Sequence, residues 1–149
     1  MFKNILVPTD GSPPARRAIE RAVRLAREQK ARLTCLWVGP VWEPNLYAYD
    51  QDVPAGFVSP SQHAAHVRKL GERYLGPVKE AALAARVPCQ CVCVQGVFPY
   101  VEILKAARRN RCELIVMGSQ GRRGLSRLLL GSQASRVLAH STIPVMVCR

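Results

Sequence analysis

The sequence predicts an α/β fold in which helices cover both faces of a five-stranded parallel sheet. Five short apolar runs, nearly free of polar alternation, are typical of strands buried on both sides. Four amphipathic stretches separate these runs. Strands that alternate with helices predict right-handed crossovers and therefore parallel strands. The chain has 149 residues, which fits a single domain, 1–149, because domains commonly span ~100–150 residues.

The first half of the chain predicts two strands and two helices. In the first helix Ala18, Ala22 and Leu25 recur at three- and four-residue steps, with arginines on the opposite face. The second helix shows similar steps, and the two strands are unbroken apolar runs. The predicted elements are a strand at 5–7, a helix at about 13–30, a strand at 33–38 and a helix at about 61–85.

The second half continues the alternation. Val101, Leu104 and Ala107 mark the apolar side of its first helix, and Gln90 interrupts its first strand. Residues 39–60, which precede the second helix, form the one long irregular stretch, and loops of that length are usually functional or mobile. The predicted elements are a strand at 89–94, a helix at about 99–110, a strand at 114–117, a helix at about 131–140 and a strand at 143–147.

Composition excludes some classes of protein and leaves others open. The 22 basic and 10 acidic residues give a net charge of +12, which attracts nucleic acid, acidic lipid or nucleotide phosphates without choosing among them. No apolar run approaches the ~18 residues of a membrane span or the roughly 7–15 residues of a secretory signal core. We therefore expect a cytoplasmic protein.

The most informative motif follows the fourth predicted strand. Gly118-Ser-Gln-Gly121 is followed by nine residues and then by Gly131-Ser132. Gly118 lets the chain leave the strand, Gly121 lets backbone N–H groups approach an anion, and Gly131-Ser132 opens a helix whose N-terminus binds phosphate. No Gly-Lys-Ser/Thr follows, so this is not a Walker P-loop. The pattern favours a phosphate site and a purely structural turn about equally.

A carboxylate stands at the end of the first predicted strand. Asp10 follows Pro8-Thr9 and precedes a helix that starts near Pro13. One interpretation is that Asp10 accepts hydrogen bonds from ribose hydroxyls or lies near a phosphate-bound magnesium ion. The other is that Asp10 or Ser12 caps the helix. Both roles are compatible.

Cysteine and histidine patterns predict structural roles. Cys89, Cys91 and Cys93 alternate, so on a strand they face one way. Buried small residues are favoured over a thiolate metal site, because a flat row of three has poor tetrahedral geometry. Solvent-exposed histidines are favoured over a metal pair for His63 and His66. The six cysteines lack a Cys-x-x-Cys pair, and reduced thiols are expected.

Four segments together resemble the universal stress protein family. The resemblance covers nearly the whole chain in the right order, and its glycine spacing is specific. It implies a Rossmann-like fold of the adenine-nucleotide alpha-hydrolase type with strands ordered 3-2-1-4-5, usually assembled as a homodimer, and membership of the ATP-binding branch. The segments are Val7 to Ser12, Val116 to Arg122, Leu128 to Ser132 and Ile143 to Val147.

The same resemblance implies a site for ATP and magnesium. Val38 would offer backbone atoms to adenine, Asp10 would contact ribose or the phosphate-metal region, and Gly131 would donate to phosphate. Family members commonly have a small or hydroxylated residue where this chain has Ala134, which supplies no hydroxyl. The implied site residues are Pro8, Thr9, Asp10, Val38, Met117, Gly118, Gly121, Arg122, Gly131, Ser132, Gln133 and Ala134.

These patterns favour a nucleotide-dependent stress-response or signalling module, in which bound ATP orders the 39–60 loop. A slow ATPase or phosphotransferase is the first alternative, and Asp10 is the only acid that the sequence places at the site. A partner- or nucleic-acid-binding protein that does not use ATP is the second. The strand at 143–148 would be an apolar sheet edge, which predicts a twofold homodimer.

Overall fold

The computed structural model describes residues 1–43, 59–121 and 130–149. The strands are β1 (Asn4–Pro8), β2 (Arg32–Gly39), β3 (Cys89–Gln95), β4 (Leu114–Gly118) and β5 (Val145–Cys148). The helices are α1 (Pro13–Gln29), α2 (Pro60–Ala84), α3 (Pro99–Arg109) and α4 (Ser132–His140). The strands form one parallel sheet in the order β3-β2-β1-β4-β5, so the implied order is confirmed.

Each face of the sheet buries its own apolar core. Side chains of one strand alternate between the two faces. Val7 therefore packs under α1 and α2, whereas its neighbour Leu6 packs under α3 and α4. Both side chains are fully buried. Burial on both sides explains why the central strands are unbroken apolar runs. Within the described ranges, no helix is long and apolar enough to cross a membrane.

The turn between β1 and α1 confirms the capping interpretation. Ser12 Oγ accepts a hydrogen bond from the Ala15 amide at 3.3 Å, and Asp10 Oδ1 accepts one from the Ser12 amide at 2.9 Å. Gly11 between them has a φ of 78°, and a Cβ there would lie 2.5 Å from the Tyr74 ring. Only glycine fits both the backbone conformation and the space.

The fifth strand starts two residues later than predicted. The Ile143 amide donates to Ser141 Oγ at 3.2 Å, which holds the chain in a turn. Pro144 follows and has no amide hydrogen to donate to a neighbouring strand. The Pro144 carbonyl still accepts a hydrogen bond from the Ile115 amide at 3.0 Å, and regular pairing begins at Val145.

The prediction that the three alternating cysteines are buried is wrong for two of them. Cys91 and Cys93 are exposed, and Cys89 is half-buried. The reason is that β3 is an edge strand of the described sheet, so nothing in that sheet covers its outer side. The row faces α2: a Cβ on Gly71 of α2 would lie 2.9 Å from Cys93 Sγ, and Cys91 and Cys93 line a groove beside that helix.

The prediction that both histidines of α2 are exposed is wrong for His63. Its side chain is 1% exposed, and Nε2 donates a hydrogen bond to the Pro40 carbonyl at 3.0 Å. His66 is exposed, so the two rings do not share an environment. The contact ties the start of α2 to the chain leaving β2. Residues 44–58 of the predicted loop lie outside the described residues.

Removing the cap of α1 tests this reading of the turn. Ser12→Ala leaves the Ala15 amide without its side-chain acceptor, and we expect the free energy of unfolding to fall by about 1 kcal/mol. The matched control is Ser135→Ala on the exposed side of α4, which should change stability by less than about 0.5 kcal/mol. Urea denaturation measures both; equal effects would contradict the capping role.

Candidate functional site

Most of the predicted site residues that the structure describes lie close together beyond the carboxyl ends of β1 and β4. These strands are neighbours at the centre of the sheet. The chain leaves β1 for α1 on one face of the sheet and leaves β4 for α4 on the other. In open parallel sheets, this divergence opens a crevice in which ligands bind.

The exit from β4 packs directly on the first turn of α1. A Cβ on Gly118 would lie 2.8 Å from the carbonyl carbon of Pro14 and 2.9 Å from its oxygen. A backbone neighbour at that distance cannot move aside as a side chain would. The next residue, Ser119, donates its amide to the Cys148 carbonyl at 2.7 Å, which fixes the turn to the end of β5.

The start of α4 folds back onto the same turn. The Gly131 amide donates to the Ser119 carbonyl at 2.7 Å. A Cβ on Gly131 would lie 3.1 Å from both Gln120 Cα and that carbonyl oxygen. The two halves of the glycine motif are therefore in contact. The spacer at 122–129, and with it the predicted site residue Arg122, lies outside the described residues.

The carboxylate of Asp10 faces the glycine turn. A Cβ on Gly121 would lie 3.0 Å from Asp10 Oδ2. The other oxygen, Oδ1, accepts the Ser12 amide, so the side chain closes its own turn and still presents an oxygen toward the crevice. Asp10 is half-buried and Gly121 is exposed. The bond to Ser12 shows the structural role of Asp10, and its contact with ribose or magnesium stays a prediction.

The N-terminus of α4 presents backbone N–H groups next to this turn. Gly131 is the N-cap and has no side chain with which to occupy those groups. Ser132 is exposed and Ala134 is 2% exposed. Gln133 Oε1 accepts the Tyr100 amide at 2.9 Å, so its side chain serves the start of α3. The side chains of Gln133 and Ala134 thus belong to the fold, and the implied contacts of their backbone N–H groups with phosphate stay a prediction.

Three further predicted residues, Pro8, Thr9 and Met117, lie at the strand ends that border the crevice. The Thr9 amide donates to the Leu36 carbonyl at 2.8 Å, and Thr9 Oγ1 accepts the Gly11 amide at 3.2 Å. Pro8 is half-buried, and Met117 is 6% exposed and belongs to the core under α3 and α4. Because Pro8 is half-buried and Thr9 and Met117 are buried, a ligand contact at these residues would be confined to backbone atoms and the few exposed side-chain atoms.

Val38 lies one strand away from the central pair. It stands near the end of β2, is half-buried, and pairs with Val94 of β3. The structure therefore gathers the segments 8–10, 118–121 and 131–134 into one crevice and places Val38 at its side.

Sequence reasoning did not identify Ser119 as part of the site. Its amide and carbonyl join the motif to β5 and to Gly131. No side-chain pattern signals that role, because both bonds are made by the backbone. Among the described residues, no group of three or more His, Cys, Asp or Glu side chains is placed to hold a metal ion.

Solved structures share this fold. The structure of hypothetical protein MJ0577 superposes with a TM-score of 0.80 at 24% identity, covering 99% of this chain and 96% of that one. A universal stress protein in complex with cAMP gives 0.71 at 22% identity, covering 99% and 97%. The Archaeoglobus fulgidus universal stress protein in complex with dAMP gives 0.67 at 18% identity, covering 99% and 98%. At these identities the likeness shows the fold alone.

Sequence comparison gives information on relatedness as well as on the fold. Universal stress protein YxiE of Bacillus subtilis is 36% identical over 151 residues, and the match covers 100% of both chains. The model of the universal stress protein family matches residues 1–149. Both matches span the strand ends and the glycine motif that build the crevice. The chain therefore belongs to the universal stress protein family.

Proposed function

We propose that this chain binds ATP together with magnesium in the crevice beyond β1 and β4, and that it acts as a nucleotide-dependent binding module in the stress response. The observation that carries the proposal is the contact between the two halves of the glycine motif. It places an acidic side chain, a glycine turn and a helix N-terminus around one space. The cytoplasm, where thiols stay reduced, is the compartment that we propose.

The phosphates would lie at the start of α4. A helix N-terminus offers unpaired N–H groups and the positive end of the helix dipole. Gly131 and Gly121 leave room there, since a Cβ on either would come within 3.1 Å of the turn or of Asp10. Ser132 is exposed at the first helical position and adds a hydroxyl donor.

Asp10 would contact the ribose or the magnesium ion that accompanies the phosphates. Magnesium prefers oxygen ligands, keeps several waters, and is commonly held by one or two carboxylates plus the substrate's phosphates. The Oδ2 oxygen facing Gly121 suits either contact. The ion's contribution is to neutralise phosphate charge beside a carboxylate.

The relatives favour an adenine nucleotide among the possible anions. Two proteins of this fold were solved with cAMP and with dAMP, which share the adenine base. Val38 of β2 would then offer its backbone atoms to the base at the side of the crevice. The proposal includes a triphosphate as the natural ligand. It also includes the ordering of the 39–60 segment by bound nucleotide, through which the protein would respond to ATP.

Calorimetric titration of nucleotide-stripped protein with Mg-ATP tests this assignment. We expect saturable binding near one nucleotide per chain, little weakened by added salt, because adenosine contacts are not screened as exposed charges are. Tripolyphosphate is the control for phosphate charge alone. Binding that disappears in salt, or that tripolyphosphate reproduces, would mean that the charge of +12 collects anions.

Asp10→Asn separates a specific contact from a general effect of charge. Asparagine retains an oxygen for the Ser12 amide, so the turn is preserved, but the charge facing Gly121 is lost. We expect Mg-ATP affinity to fall about tenfold, as for loss of a charged hydrogen bond. Glu113→Gln, at the opposite end of the sheet, removes the same charge and should change affinity by less than about twofold. Equal losses would contradict the role of Asp10.

We also propose that two copies pair through residues 143–148. β5 is an edge strand of the described sheet, and Met146 on it is 39% exposed. Edge strands with apolar residues are templates for pairing with another chain. Sedimentation should give the mass of a dimer, and Met146→Lys should shift it toward the monomer. Leu83→Lys, on an exposed leucine of α2, should not. A wild-type monomer would overturn the pairing.

A further inference from the structure

Three thiols cluster on the α2 side of the β2–β3 pair. Cys35 Sγ and Cys89 Sγ are hydrogen-bonded at 3.2 Å. Cys35 is fully buried in the core, Cys89 is half-buried and Cys91 is exposed. Strand register places Cys35 opposite Cys91, so Cys89 is its diagonal neighbour on the same face. The three sulfurs therefore extend from the protein surface at Cys91 to the buried core at Cys35.

A groove between α2 and β3 reaches this cluster at Cys91. It has a volume of about 570 Å³, and Cys91, Cys93 and Lys79 are among its lining residues. Gly71 also lines it, with Cys93 Sγ close to where a Cβ would stand. The groove exposes Cys91 to small solutes, and the half-buried Cys89 is two residues away on the same face of β3.

The surroundings of Cys89 favour its thiolate. The hydrogen bond with Cys35 lowers the pKa of Cys89 to about 7, helped by Cys91 and by the positive charge of Lys79, and against the effect of burial. Burial and the neighbouring Cys89 raise the pKa of Cys91 to about 11. The bond to Cys89 and burial also raise the pKa of Cys35. Of the hydrogen-bonded pair, Cys35 is fully buried and Cys89 is half-buried, so Cys89 is the sulfur that combines access with a lowered pKa.

We propose that Cys89 is a site of oxidation by hydroperoxides and that Cys35 is its resolving thiol, so that oxidant closes a disulfide between β2 and β3. The inference rests on the position of the two sulfurs and does not depend on nucleotide binding. From 3.2 Å the sulfurs must approach by a little over 1 Å to reach the roughly 2.05 Å of a disulfide.

The chemistry proceeds in two balanced steps. The Cys89 thiolate attacks a peroxide oxygen; an S–O bond forms, the O–O bond breaks, and the alkoxide or hydroxide released takes a proton from water. The Cys35 sulfur then attacks the sulfenic sulfur; the S–S bond forms and the S–O bond breaks. The departing hydroxide takes the Cys35 proton and leaves as water. The two sulfurs lose two electrons, which the peroxide gains.

Peptide mapping of the whole chain tests the pairing. Reduced, desalted protein is treated with hydrogen peroxide, capped with N-ethylmaleimide and cut with trypsin, whose sites place Cys35 in peptide 33–68 and Cys89 in peptide 87–105. We expect these peptides joined within single chains. Cys89→Ser should reduce the joined product more than about tenfold, because the nucleophile is lost. Cys93→Ser, on the same face of the strand, should retain it.

Trapping the first product distinguishes a resolving thiol from a bystander. In Cys35→Ser the hydroxyl can still donate a hydrogen bond to Cys89 but cannot form a disulfide, so dimedone should label Cys89 at least about fivefold more than in the wild type. Should Cys35→Ser not fold, labelling rates in the reduced wild type decide. At pH 7 Cys89 should react with iodoacetamide about fivefold faster than Cys93, after allowing for the lower nucleophilicity of a low-pKa thiolate.

Three results would overturn the proposal. One is a joined product that survives Cys89→Ser and disappears with Cys91→Ser, which would assign the chemistry to the directly opposite pair. Another is a link only between chains. The third is the absence both of a joined product and of dimedone label on Cys89 under an excess of peroxide.

Discussion

Close backbone approach at two glycines is the constraint on which the crevice depends. At Gly118 the end of β4 touches the backbone of Pro14 in α1, and at Gly131 the start of α4 touches the backbone at Gln120. A Cβ at 118 would come within 2.8 Å of backbone atoms, and moving them means moving a helix relative to the sheet. The same missing side chains that let the turn after β4 pack on α1 and on the start of α4 also leave room for a ligand beside that turn.

The order of the strands in the sheet explains why this packing leaves a crevice. Because β1 and β4 are neighbours whose helices lie on opposite faces, their two exits separate and leave polar atoms between them. The strands themselves are closed to solvent: Leu6 and Val7 are fully buried, and their backbone groups are used in pairing. Asp10 and Gly121 lie beyond the last paired residues of β1 and β4 and face each other across the turn.

The sequence predicts what depends on local period and spacing. Continuous apolar runs and helical steps locate the nine elements found in the described residues, and the strand order follows from the family resemblance. Local period and spacing do not predict which residues of a sheet are exposed at its edge, since that exposure depends on which strand is outermost. Cys91 therefore resembles a core residue in sequence and is exposed in the structure, whereas His63 resembles a surface residue and is buried by the chain leaving β2. The hydrogen bonds of Ser119 are made by its backbone, so no side-chain pattern in the sequence indicates them.

β2 carries a part of both proposed sites, yet keeps them apart. Cys35 faces the core under α1 and α2, while Val38, three residues later, packs toward α3 and α4. Side chains an odd number of positions apart on a strand point to opposite faces. The sheet therefore stands between the thiol cluster and the side of the crevice to which Val38 belongs. The thiol cluster lies on the other face of the sheet from the Val38 side chain, so its side chains do not enter the crevice there. Coupling between oxidation and nucleotide binding would therefore have to pass through a shift of β2 itself.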